Sequence, residues 1–261
     1  RLRGGAGLAA TTACAGLFAV AFALPMAWLA QEALSVSGEL DRLAAAAGRS
    51  LGLAALSAAI IAALALALVL GSARRTLLAR LAGMGYASPG AAIAIGLLMP
   101  ASLVWDAFPG AVSSVAAGVG LLIYAYAARL IAAGAEPLGA GLARINPSVL
   151  DTARLLGRGD LALARDVQAP LLRGSLLTAF LLVFIDVLKE LPATLILRPF
   201  NFDTLAVLAD AYARDERLGQ AGWPSLMIVA LALPGVIWLT ARITRTTQAA
   251  AGEPIAREGA P

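Results

Sequence analysis

The stretch from Leu51 to Leu70, LGLAALSAAIIAALALALVL, carries no charged residue. In hydrocarbon a backbone must satisfy its own hydrogen bonds, and about twenty apolar residues in a row make a helix that spans it. Comparable runs recur at Leu8–Ala30, Pro89–Val104, Pro109–Ile131, Leu171–Leu197 and Trp223–Ala241. Six such segments predict an all-α, polytopic membrane helical bundle of about six transmembrane helices. The third is short and contains Pro100, so its limits are the least defined. The first resembles a signal peptide at its start but runs apolar beyond a cleavage site, which favours a retained helix. Gly, Ala and Ser are dense in GAAIAIG and SSVAAGVG, a composition that lets membrane helices pack closely.

Charge placement orients the bundle. Arg1 and Arg3 precede the first segment, and Arg74, Arg75 and Arg80 follow the second. Arg129, Arg144, Arg154, Arg158, Arg165 and Arg173 crowd the gap after the fourth, and Arg242 and Arg245 follow the sixth. With alternating segments all these fall on one side, so both termini are expected in the cytoplasm. The net charge of +4 is spread over these gaps and forms no single patch, which excludes a nucleic-acid partner. The chain has no histidine and one cysteine, Cys14, so neither a Cys/His metal centre nor histidine-based catalysis is expected. The transmembrane domain is expected over 1–245, with 246–261 as a flexible cytoplasmic tail.

The gap from about Gly134 to Pro170 is long for a connector. In INPSVLDTARLLG, Asn146 is placed to cap a helix that Pro147 begins, with Leu150, Ala153 and Leu156 on one face. Gly157 and Gly159 interrupt it, LALARDVQ forms a second short amphipathic helix, and Pro170 opens the next span. Two short helices with a glycine elbow suit a docking surface. The run Asp151-Thr152-Ala153, Gly157, Val167-Gln168-Ala169-Pro170 resembles the EAA loop of binding-protein-dependent ABC importer permeases: Glu-Ala-Ala, three residues, Gly, nine residues, Ile, any residue, Leu, Pro. The spacing matches throughout, with Asp, Thr, Val and Ala replacing Glu, Ala, Ile and Leu. The resemblance implies the MetI-like permease fold in a bacterial inner membrane. It also implies a cytoplasmic ATPase dimer docking through Asp151, Thr152, Ala153, Gly157, Val167 and Pro170. Further implied partners are a periplasmic substrate-binding protein, a second permease half or homodimer partner, and surrounding lipid.

The fifth segment holds Asp186, Lys189 and Glu190, followed by Pro192. At i, i+3 and i+4 the three share a helix face, where Lys189 can pair with either carboxylate. Intramembrane charges either line a path or clasp neighbouring helices, and the sequence leaves both open. Pro192 is expected to kink the helix just past them. Thr204 or Asp203 is expected to cap a short helix ending near Ala213. The stretch KELPATLILRPFNFDTLAVLA, followed by ARDERLGQAG, is similar to the ferric-iron branch of the permeases. That likeness implies ferric iron as substrate and a C-terminal half of a fused permease. A hard cation prefers carboxylate and phenolate oxygen, for which Asp106, Tyr124, Tyr126, Asp186 and Glu190 are the candidates. Thiamine, polyamine and sulfate are the alternative cargoes.

No glycine-rich phosphate loop followed by Lys and Ser or Thr occurs, so ATP is expected on the partner subunit, with no cofactor in this chain and no enzymatic site. A secondary transporter with Asp186 and Glu190 as proton relays is the alternative, although it has no use for an ATPase dock.

Overall fold

The computed structural model describes residues 4–71, 82–107 and 115–252, without the side chains of 105–107 and 242–252. The described residues form helices and connecting turns. Helix α1 covers Gly5–Leu34, with a π-helical turn at Ala19–Ala23, and α2 covers Leu40–Leu70. Then come α3 (Gly90–Ala107), α4 (Val115–Ala143), α5 (Pro147–Leu155) and α6 (Asp160–Leu171). The chain ends with α7 (Arg173–Leu188), α8 (Pro192–Leu197), α9 (Leu205–Arg214) and α10 (Leu218–Gly252).

Among the described residues, four helices are long and apolar enough to cross a membrane: α1, α2, α4 and Leu218–Ala241 of α10. The pair α6 and α7, bent by 73°, adds a fifth if counted as one span. The third expected span is represented by the shorter apolar helix Gly90–Val104. The expected continuous helix from Leu171 to Leu197 does not form. It divides into α7 and α8, because Pro192 has no N–H for the Leu188 carbonyl and its ring crowds that oxygen. Helix α4 runs to Ala143 through Pro137, so the loop expected from Gly134 begins some ten residues later. Helix α10 continues to Gly252, making the start of the expected flexible tail helical; the remainder of the tail lies outside the described residues.

By contacts the chain forms two units, Arg1–Leu51 with Asn201–Ala230, and Gly52–Phe200 with Leu231–Pro261. In the first, Gly222 of α10 packs on α1 so closely that an added Cβ would lie 2.9 Å from the Ala33 Cβ. Helix α9 buries Leu205, Ala206, Val207, Leu208 and Tyr212. Thr204 caps it, accepting from the Val207 N–H at 3.4 Å, and Ser50 Oγ accepts from the Leu205 N–H at 2.8 Å. The Tyr212 ring lies between the guanidiniums of Arg42 and Arg217, 5.5 and 5.0 Å from its centroid.

The second unit is built on α4 against α2 and α7. Ala65, Leu138, Leu172 and Ala179 form a buried cluster, with Leu66, Ile131, Leu142 and Leu176 around it. This packing fixes the two features that carry the functional argument: the hairpin of α5 and α6, and the break between α7 and α8.

Candidate functional site

The hairpin follows from its local sequence. The Asn146 side chain accepts from the Ser148 N–H at 3.1 Å, and Pro147 takes the first helical position, where no N–H is needed. Helix α5 ends at Gly157 with φ +79°. There the Gly157 N–H donates to the Arg154 carbonyl at 2.9 Å and the Arg158 N–H to that of Ala153 at 3.1 Å. This pair of bonds is the Schellman closure, which requires the left-handed region that glycine enters without penalty. A Cβ on Gly157 would meet nothing within 4 Å, so conformation and not space selects glycine. Asp160 occupies the first turn of α6, where the helix dipole favours an anion. Arg158 and Asp166 pair across the hairpin.

The motif residues take different places. Asp151 is exposed and pairs with Arg154 at 3.2 Å. Thr152 Oγ1 donates to the Ser148 carbonyl at 2.7 Å. Ala153 is buried, Val167 is half-buried and Gln168 is buried. Pro170 does not open the next span: it lies in the last turn of α6, and α7 starts at Arg173 beyond the bend. The expected apolar face of α5 is only partly covered. Ala153 is buried and Leu150 half-buried, but Leu156 sits past the last helical residue and is uncovered. Leu155 is 88% exposed and Leu161 83%.

The three charges of the expected fifth segment divide. Asp186 lies in α7, Lys189 ends it, and Glu190 lies in the break, so they do not share one helical face. Lys189 pairs with Asp186 at 3.0 Å, with side chains 64% and 26% exposed. Glu190 is 8% exposed and its partner is Arg129 of α4. The Glu190 Oε1 also accepts from the Ala193 N–H at 3.3 Å, capping α8. Thr194 Oγ1 donates to the Glu190 carbonyl at 2.8 Å and lies 2.6 Å from the Tyr126 hydroxyl. Because the Thr194 proton goes to that carbonyl, Tyr126 is the donor in the second bond. Gly90 closes the cluster, since a Cβ there would stand 2.8 Å from Glu190 Oε1.

Sequence reasoning missed Arg129, Thr194 and Gly90. It read Arg129 as a residue of a cytoplasmic gap, whereas α4 continues fourteen residues beyond it, from 129 to 143. The spacing Tyr126 to Arg129, one helical turn, was the available signal. Tyr126, a candidate cation ligand, is buried in this cluster, and Tyr124 is exposed. The side chain of Asp106 lies outside the described residues. Among the described residues no three His, Cys, Asp or Glu side chains gather as a metal site.

The helical arrangement has counterparts among solved structures of bacterial ABC importers. A chain from a bacterial alginate ABC transporter in complex with alginate pentasaccharide-bound periplasmic protein aligns at a TM-score of 0.69 and 14% identity, covering 88% of this chain and 91% of that one. A chain from a bacterial ABC transporter involved in the import of the acidic polysaccharide alginate aligns at 0.69 and 14%, covering 91% and 94%. At this identity the likeness is one of fold. No protein-family model and no curated protein matches the chain.

Proposed function

We propose that the chain is the membrane-spanning permease subunit of an ABC importer in a bacterial inner membrane, with both termini in the cytoplasm. A separate ATPase dimer binds ATP and docks on the hairpin from Pro147 to Gln168. A periplasmic binding protein delivers the substrate, and a second permease half or a second copy completes the path. The observation that carries this reading is the hairpin itself. It has EAA-loop spacing, a left-handed Gly157 at the elbow and leucines that the chain leaves uncovered, within an importer-type fold. Docking would cover Leu155 and Leu161 and engage Asp151. The commitment of Glu190 to Arg129 weighs against a proton-relay carrier that needs Asp186 and Glu190 both free to titrate.

Ferric iron is the proposed substrate, on the resemblance of the stretch from Asp186 to Gly222. The solved neighbours are described as alginate importers, and this chain's cargo follows from neither of them. The chain should be co-expressed with candidate ATPase and binding-protein subunits and reconstituted in proteoliposomes. The expected result is ATPase co-purification, lost in Asp151→Lys with membrane insertion retained, and ATP-dependent accumulation of ferric iron. Unchanged co-purification in Asp151→Lys combined with Gly157→Val would overturn the docking assignment. Uptake of thiamine, polyamine, sulfate or alginate oligosaccharide instead of iron would replace the substrate.

A further inference from the structure

The break between α7 and α8 is held by side chains more than by its own backbone. Pro192 has no N–H, so the Leu188 carbonyl has no helical donor, and Leu191 lies at φ −115°, ψ −53°. Around this gap α4 places two polar groups one turn apart. Arg129 takes the Glu190 carboxylate, and Tyr126 reaches the Glu190 carbonyl through Thr194. The carboxylate also caps α8 at Ala193, while Gly90 at the start of α3 leaves the space that it occupies. A single buried acidic residue thus joins α3, α4 and both sides of the break.

We infer that Arg129 is a positioning residue that sets the conformation of the α7–α8 break through Glu190, separately from the Asp186–Lys189 pair. The role this gives the break in transport rests on the permease reading above; the positioning itself does not. Removing Arg129 leaves a buried carboxylate without its counter-ion, so Glu190 must move toward water or take a proton. Either change withdraws the charged acceptor from Ala193 and loosens α8. Lys189 is uncovered and, among the described residues, pairs within its own helix turn with Asp186, so its loss leaves the break intact. Among the described residues the buried Arg129 Nε has no hydrogen-bond partner, and the guanidinium pairs with Glu190 through its Nη1.

The test places one cysteine at Leu197, a buried residue at the end of α8, after Cys14→Ser removes the exposed native thiol. Labelling by a small maleimide is followed in membrane vesicles. Arg129→Ala should raise the labelling rate about tenfold or more, the shift expected from losing one charged hydrogen bond. Arg129→Lys should recover part of the protection, and the exchange Arg129→Glu with Glu190→Arg more of it. Lys189→Ala should label as the parent does. Should Arg129→Ala fail to accumulate, Glu190→Gln carries the same measurement and should also label faster, because it removes the charge through which Arg129 holds the break. A parental rate in both Arg129→Ala and Glu190→Gln overturns the proposal, as does equal acceleration in Lys189→Ala. In the reconstituted complex, Arg129→Ala should lower uptake per ATP hydrolysed, with Arg129→Lys between; a fall of uptake and hydrolysis in equal proportion overturns the role of the break in transport. Protection that follows the expected order in a chain that binds no ATPase removes the importer reading and leaves the positioning of the break in place.

Discussion

Helices α5 and α9 are alike in sequence design and opposite in burial. Both are short and amphipathic, nine and ten residues long, and each is capped by its own side chain, Asn146 or Thr204. Helix α9 buries five residues within its own unit, and Ser50 satisfies a backbone donor at its start. Helix α5 buries only Ala153, and Leu155 and Leu156 beyond it are uncovered. An isolated helix of this length is marginal in water and depends on tertiary contact for its stability. Helix α9 finds that contact inside the chain. Helix α5 is held by its cap and by the Schellman closure, and its apolar residues remain available to a partner.

The contrast is testable by stability. Leu208→Asp, in α9, should have the largest effect, because it puts an unpaired charge where the side chain is fully buried. A loss of more than about 4 kcal/mol is expected, read as collapse of membrane abundance and of thermal stability in detergent. Normal abundance would break the comparison. Gly157→Val comes next: a β-branched residue in the left-handed region costs about 1–2 kcal/mol or more. Its expected signature is a chain that inserts but exposes the hairpin to limited proteolysis. Thr204→Ala should cost about 1 kcal/mol through the lost cap, measured as a lower melting temperature. The smallest change in stability, within about 0.5 kcal/mol, is expected for Leu155→Asp with Leu161→Asp, since neither side chain is covered. The same double variant should abolish ATPase co-purification, and that split between stability and docking is what would sharpen the comparison most.

Legibility followed sequence distance. Asn146, Pro147 and Gly157 state the hairpin locally, each through the backbone conformation it prefers, and the structure places all three as those preferences require. The cap of α9 was legible to one of two residues, Thr204 or Asp203, for the same reason, and it is Thr204. The break was half legible: Pro192 foretold an interruption, yet the helix stops at Leu188 and a separate one begins at Pro192, where a kink was expected. The partner of Glu190 was not legible at all. Arg129 lies 61 positions away, and nearby Lys189 offered a simpler pairing at i−1 and i+3 of the two carboxylates. Pro137 disguised the length of α4, since a proline ordinarily ends a helix but is tolerated within a membrane one. Span count suffered from the same ambiguity, since hydropathy alone cannot separate one straight helix from two short ones.

The 73° elbow between α6 and α7 has a mechanical consequence. At 1.5 Å per residue, α6 is an arm of about 18 Å and α7 an arm of about 24 Å. Their fulcrum is Leu172, fully buried, and Gly141 beside it has so little clearance that an added Cβ would lie 3.0 Å from the Leu172 Cδ2. If the two arms turn as one piece, a push of about 3 Å at the Gly159 end becomes about 4 Å at the far end, where Lys189 and the break stand. Turning so, the elbow would be a lever with a gain slightly above one, and its output would fall on the break that Arg129 and Glu190 hold together.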